Sequence, residues 1–215
     1  MKINLKKHKI FKKFGILPGI AKIFKKKIIN KIDTKINKND YIVQLQEKQK
    51  LKYNYGISEK KLSRYFITFK NKKNGNKIRP LQLIESRLDC VLYRANFTLN
   101  IRQAKQIISH KQILINNKNI NISSYICKSG DLITINAPKL IKNLMKKLYL
   151  KAKNILNFKK IKYNIRTSIM LYQIPNHIFN KKYEDGIYFI FLKDLIKINT
   201  FLLPIDETKI LEHYN

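Results

Sequence analysis

Apolar residues recur at helical spacing through most of the chain and switch to strict alternation over one short stretch. In YIVQLQEKQKLKYNYG, residues 41–56, the apolar positions Ile42, Leu45 and Leu51 are separated by Gln, Glu and Lys, which predicts a helix closed by Gly56. Ser58 then reads as the N-cap of a second helix, Glu59 to Phe69, with Leu62, Tyr65, Phe66 and Phe69 on one face. The run NKKNGNK at 71–77 is a polar loop. Pro80 precedes a predicted helix from Leu81 to Arg94, with Ile84, Leu88 and Val91 inward and Glu85, Arg87, Asp89 and Arg94 off that face. The next helix spans Asn100 to Ser109. Its Ile101, Ala104 and Ile108 point inward, Arg102, Lys105 and Gln106 outward, and His110 and Lys111 follow its end. Ile113 and Ile115, then Ile120 and Ile122, alternate with polar neighbours, and the NNKN between them predicts a hairpin turn because Asn tolerates left-handed backbone. A second turn at Lys128 to Asp131 leads into LITI. The pattern predicts an α+β fold: a helical N-terminal domain, then two helices packed on a small, mainly antiparallel sheet.

Charge changes the picture from fold to partner. The 215 residues include 46 Lys and Arg against 13 Asp and Glu, a formal net charge of +33. Residues 1–80 alone hold 24 Lys and Arg and 4 Asp and Glu. Self-repulsion on this scale implies an anionic partner, and nucleic acid fits the pattern best. Residues 1–40, with KKHKIFKKF, LPG and KIFKKKIINK, read as a basic arm that packs once phosphates neutralise it.

Other classes are disfavoured. The most apolar stretch, Ile187 to Ile205, carries Lys193, Asp194 and Lys197, each costly at a bilayer centre, so no membrane span is expected. The first 15 residues are too charged for a secretory signal. Cys90 and Cys127 form no C-x-x-C pair, which argues for buried thiols rather than a disulfide or a zinc site. No H-E-x-x-H, P-loop or G-x-S-x-G occurs and the carboxylates are scattered, so no catalytic centre, metal or cofactor is expected. Glu85 and Asp89 lie at helical spacing beside Arg, which favours ion pairing over acid–base chemistry. Tyr53, Tyr55 and Tyr65 could stack on bases, but helix packing is the stronger reading.

Residues 87–135 resemble the RNA-binding domain of the small-subunit ribosomal protein S-four family. The resemblance rests on Arg87-Leu88-Asp89, Tyr93-Arg94, Gln106-Ile107-Ile108-Ser109-His110, Ile113-Leu114-Ile115-Asn116, Ser124-Tyr125, and Lys128, Gly130 and Asp131. The chain departs from that pattern at Lys111 and Asn117, where glycine is usual, at Ser123 and Ser129, where proline is usual, and at Cys90, where asparagine is usual. Tyr41 to Tyr65 is similar to the family's helical N-terminal domain. Phe14 to Gly19 is similar to the arm of plastid versions. Pro204 to Glu207 and Ile210 to Tyr214 resemble its closing segment. Together these cover most of residues 10–137 and 200–215. Residues 140–200 match poorly apart from Pro175-Asn176-His177.

The resemblance implies four regions: a basic arm over 1–40, a helical domain over 41–82 with 200–215 packed back on it, the RNA-binding domain over 83–137, and a lysine-rich extension over 138–199, a candidate lineage-specific insertion. It implies a structural constituent of the small ribosomal subunit that binds small-subunit rRNA at a helical junction, nucleates assembly, lines the mRNA entry region and neighbours the S-three and S-five families. Arg87, Arg94, Arg102, Lys105, His110 and Lys111 are then expected to form a compact contact face, with Lys118 and Lys128 on the adjoining turns. Arg64, Lys48, Lys50, Lys12 and Lys13 would form a second face on the N-terminal helices. Arg87 also has a structural reading, as a tie to Asp89 or Asp131.

Two other classes share this small domain: RNA-modifying enzymes and non-ribosomal RNA-binding regulators. The first would need a separate catalytic domain with clustered acidic or nucleophilic groups, and the second has no need of the N-terminal helices. Lys outnumbers Arg 40 to 6, and Ile and Asn abound. That usage suits an AT-rich genome, and family-like residues begin near residue 10. Both point to an organelle-encoded protein of a plastid, with a mitochondrion or an AT-rich bacterium as alternatives.

Overall fold

The computed structural model describes residues 7–15, 17–20, 39–71, 79–159, 178–182, 188–192, 203 and 205–214. The expected arm over 21–38, the loop over 72–77 and Pro175 to His177 lie outside these residues. The chain forms two compact units, Met1–Gly75 with Leu203–Asn215, and Asn76–Leu202.

In the first unit, helix α1 (Lys7–Phe14) is followed by a turn in which the Ile20 amide donates to the Leu17 carbonyl at 3.1 Å. Ile10, Phe14 and Leu17 are buried and pack with Ile20, Tyr53 and Leu203. Helix α2 (Asp40–Tyr55) ends on Gly56, whose φ of 58° is the left-handed conformation glycine adopts without penalty. The Ile57 amide then reaches back to the Lys52 carbonyl at 3.1 Å. Helix α3 (Glu59–Asn71) starts where the Ser58 carbonyl accepts the Leu62 amide, and it buries Leu62 and Phe66 completely. A C-terminal helix, α8 (Glu207–His213), is capped by Asp206 and packs against α2.

Among its described residues the second unit contains four helices and one sheet. Helices α4 (Pro80–Glu85) and α5 (Leu88–Arg94) replace the single helix expected from Leu81 to Arg94. The break lies at Ser86-Arg87, and its cause is pairing across the break. Arg87 is extended and bridges Ile126 antiparallel. The Cys127 amide donates to the Ser86 carbonyl, and the Leu88 amide to the Tyr125 carbonyl, both at 2.9 Å. Helix α6 (Ile101–Ser109) is capped by Asn100, whose Oδ1 accepts the Gln103 amide at 2.8 Å, and buries Ile101, Ala104, Ile107 and Ile108. Strands β1 (Ile113–Ile115), β2 (Lys118–Asn119) and β3 (Leu132–Ile135) follow, then α7 (Lys139–Lys159), β4 (Ile178–Lys182) and β5 (Tyr188–Leu192).

The sheet order is β2-β1-β3-β5-β4, with every neighbouring pair antiparallel. The hairpin turn is tighter than NNKN: Asn116 and Asn117 alone make it, with φ of 48° and 64°, and Lys118 already pairs with Ile115. The expected strand through Ile120 and Ile122 is therefore displaced. Ile120 packs on the core from outside any strand, and Ile122 is exposed. Strands β4 and β5 come from the poorly matching region, where β5 takes the apolar stretch from Tyr188 and pairs it with β3. No described helix is long and apolar enough to cross a membrane. The core of this unit gathers Leu88, Val91 and Leu92 of α5, Ile107 and Ile108 of α6, and Ile113, Ile115, Ile133 and Ile135 of the sheet.

Candidate RNA interface

The second unit sorts its cations into buried and exposed sets. Arg87, expected on the contact face, is 2% exposed and Asp89 is fully buried. Arg87 holds Asp89 side-on, Nε to Oδ1 at 3.0 Å and Nη2 to Oδ2 at 2.7 Å. Across the break, Arg94 of α5 meets Glu85 at the end of α4 through Nε and Oε2 at 3.5 Å, both side chains buried. Lys105 joins from α6, with Nζ 3.6 Å from Asp89 Oδ2. Burial lowers the Lys105 pKa, while Asp89 opposes that shift. Burial, reinforced by Asp89 and Glu85, pushes the Cys90 thiol well up. The structure thus places Arg87 and Arg94, expected on the contact face, among buried ion pairs, and Lys105 is half-buried. The reason is the break before α5, which turns the supposed outer face of one long helix into the seam between α5, α6 and the Tyr125–Cys127 segment.

The remaining predicted cations of this unit are at the surface. Arg102 and Gln106 lie on the outer side of α6, and His110 and Lys111 follow its end, all exposed. Lys111 has φ 56°, and the Lys111 and Gln112 amides donate to the carbonyls of Ile108 and Ile107. This is the left-handed helix end that glycine usually occupies. Lys118 and Lys128 are exposed on two turns that are tied together. Asn116 Nδ2 donates to Asp131 Oδ1 at 3.0 Å, and Asn116 Oδ1 accepts the Leu132 amide at 2.9 Å. Asp131 Oδ2 accepts the Lys128 amide at 2.8 Å. A buried carboxylate and one amide thereby hold both lysine-bearing turns at one end of the sheet.

The first unit shows the same sorting. Arg64 on α3 and Lys13 on α1 are exposed, and Lys13 lies over the Phe14 ring at 5.3 Å. The side chain of Lys12 lies outside the described residues. Lys48, expected on the second face, is engaged within the unit. Its Nζ is 2.9 Å from Glu59 Oε1, 2.8 Å from His213 Nε2 and 5.3 Å from the Tyr214 ring centre. Lys50 is half-buried and pairs with Glu47 at 2.6 Å. Of the tyrosines considered for stacking, Tyr55 is buried and Tyr53 packs on Phe14 with ring centres 5.4 Å apart. Sequence reasoning missed the two tethers, Asn116–Asp131 and Gly19–Asn54, the latter a 2.8 Å bond from the Gly19 amide to Asn54 Oδ1. The Lys128-to-Asp131 turn pattern was the available signal for the first. Among the described residues no cluster of three metal-ligating side chains occurs, and both cysteines are buried and unpaired.

Residues 2–85 match the family described as "Ribosomal protein S4/S9 N-terminal domain", and residues 86–133 match the family described as "S4 domain". The chain is 33% identical over 211 residues to the "Small ribosomal subunit protein uS4c" of Monoclea forsteri, covering 96% of this chain and 94% of that one. The protein of the same name from Marchantia polymorpha shows the same identity and coverage. That of Prototheca wickerhamii is 41% identical over 150 residues, 63% of this chain and 72% of the relative. The chain belongs to the ribosomal protein S4 family. It is a structural ribosomal protein with an RNA-binding S4 domain, not an enzyme.

Within that family frame, the S4 domain runs from the break before α5 to β3. Its rigid parts are the Arg87–Asp89 seam and the Asn116–Asp131 clip, and its exposed parts are cationic.

Proposed function

We propose that this chain is a structural component of the small ribosomal subunit of a plastid, where it binds small-subunit rRNA at a helical junction early in assembly. The observation that carries this reading is the exposed set Arg102, His110, Lys111, Lys118 and Lys128 on one folded S4 domain. None of these five is ion-paired to another described residue, so the charges of Arg102, Lys111, Lys118 and Lys128 are available to phosphate. Each phosphate neutralised releases counterions, and the affinity falls with salt accordingly. The deep groove of A-form RNA is unreadable to side chains, so a fixed constellation of cations recognises the shape of a folded junction. Arg64 and Lys13 contribute from the first unit. Plastid residence is supported by the relatives' shared name and by the Lys-over-Arg usage. Contacts with the S-three and S-five neighbours and a place on the mRNA entry path follow from the family resemblance.

The test is binding to a transcribed 5′ domain of small-subunit rRNA against a random duplex of equal length, over a salt series. A preference of about 100-fold that survives physiological salt supports the reading. Equal affinities that collapse in parallel would overturn it.

A further inference from the structure

Helices α6 and α7 leave an open groove of about 300 Å³ between them. Its floor is apolar, formed by Ile107 of α6 and Ile141, Leu144 and Met145 of α7. Its polar edge is His110 and Gln112, with further glutamines of α6, and no lining residue is acidic. Two features of this groove are unresolved by the protein itself. Gln112 Oε1 is buried without a hydrogen-bond partner, a costly state for an amide oxygen. Leu144, on the groove wall, is half-exposed and continues to the exposed Leu140 one turn away.

A ligand that resolves both must be flat or slender, apolar on its faces, and must carry an N–H on its edge. Every nucleobase fits that description, because each has a π-face and at least one N–H donor. The setting selects RNA over a protein segment. His110 lines the groove, Arg102 directly precedes the lining Gln103, and Lys111 falls between the lining His110 and Gln112; all three are exposed and could meet the phosphates flanking an inserted base. We infer that the α6–α7 groove accepts one unpaired base of the bound RNA, stacked against Ile107 and Leu144 and donating an N–H to Gln112 Oε1. This rests on the RNA-binding function proposed above and adds to it a base-sized pocket beside the phosphate-binding cations.

The full-length chain, its Gln112→Leu and Leu144→Trp variants, and a Lys118→Ala comparison are titrated with the 5′-domain transcript over a salt series. Gln112→Leu deletes the oxygen at near-constant size, and Leu144→Trp fills the groove from its exposed wall. Both are expected to weaken binding about ten-fold, the scale of one stacked base, with the salt slope unchanged because no phosphate contact is lost. Lys118→Ala should instead reduce the slope by about one. Replacing an unpaired buried oxygen with a methyl should leave the melting temperature of free Gln112→Leu equal or higher, so unfolding does not imitate the effect. Affinities of both groove variants within two-fold of wild type would overturn the inference. So would normal RNA binding joined to failed incorporation into reconstituted subunits, which would assign the groove to a protein neighbour. If the wild-type chain itself does not prefer the transcript over the duplex, the RNA-binding reading fails first, and the groove inference falls with it.

Discussion

Arg87 grips Asp89 from two residues away in sequence, through paired bonds of 3.0 and 2.7 Å inside the fold. The pair sits at the break between α4 and α5, where Arg87 is also the extended residue that bridges Ile126. Removing one member leaves the other as an uncompensated buried charge. Asp89→Ala is expected to destabilise the chain by about 3–5 kcal/mol. Urea unfolding of the wild type and variant would check this. A loss under about 1 kcal/mol would show that the seam is solvated and that Arg87 is free to meet phosphate.

Lys111 occupies a left-handed helix end without the glycine that such ends favour. A lysine there holds a charge at a conformational cost. Lys111→Gly is expected to stabilise the free protein by about 0.5–1 kcal/mol and to lower the salt slope of RNA binding by about one. Thermal melts and the salt series separate the two effects. Stabilisation without a change in slope would remove Lys111 from the contact set.

Much of this was legible from residue pattern. The helix ending at Gly56, the inward Ile101, Ala104 and Ile108, and the cations past α6 all follow from spacing and cap chemistry. The break at Ser86-Arg87 was not legible, because its cause is pairing with Tyr125 and Cys127, nearly forty residues away. The burial of Arg87 and Arg94 was hidden for the same reason. An arginine beside carboxylates on a periodic helix reads as surface until another segment covers it. Strand β5, YFIFL, is apolar throughout and β4, IFNKK, ends in two lysines, so neither alternates; β5 joins the edge of β3, and β4 adds on to β5.

His213 gives the C-terminal helix a pH dependence. Burial lowers its pKa below the ordinary 6.5, with help from Lys48 and against the pull of Glu59. The neutral ring accepts from Lys48 Nζ at 2.8 Å, Tyr41 and Tyr214 pack against the ring, and Glu59 pairs with the same Lys48. The unfolded chain therefore takes up a proton before the folded one does. This stabilisation is complete above pH 6.5 and is lost as pH falls from there through the folded pKa. Glu59 acts lower down. Burial raises its pKa, but Lys48 and Lys52 outweigh burial and hold it below 4.5, so its contribution is lost as pH falls further. Melting temperatures over about pH 5 to 8 should drop on the acid side, and His213→Gln should flatten the first step. An unchanged step in that variant would place it at another histidine.

The clip between Asn116 and Asp131 separates the placement of charge from its amount. Asn116→Gly keeps the left-handed backbone at φ 48° and removes only the amide that joins the two lysine-bearing turns. No cation is lost and the net charge stays at +33. If affinity depended on charge alone, the variant would bind RNA as the wild type does, with the same salt slope. A fixed constellation predicts otherwise. Once untied, Lys118 and Lys128 no longer meet their phosphates together, so preference for the junction transcript over the random duplex should fall about ten-fold. The slope should also fall toward that of a double Lys118→Ala, Lys128→Ala variant. Non-specific binding to the duplex at low salt should hardly change, because the cations remain. An undiminished preference would mean that the turns carry charge but no shape, and that recognition lies on α6 and the first unit.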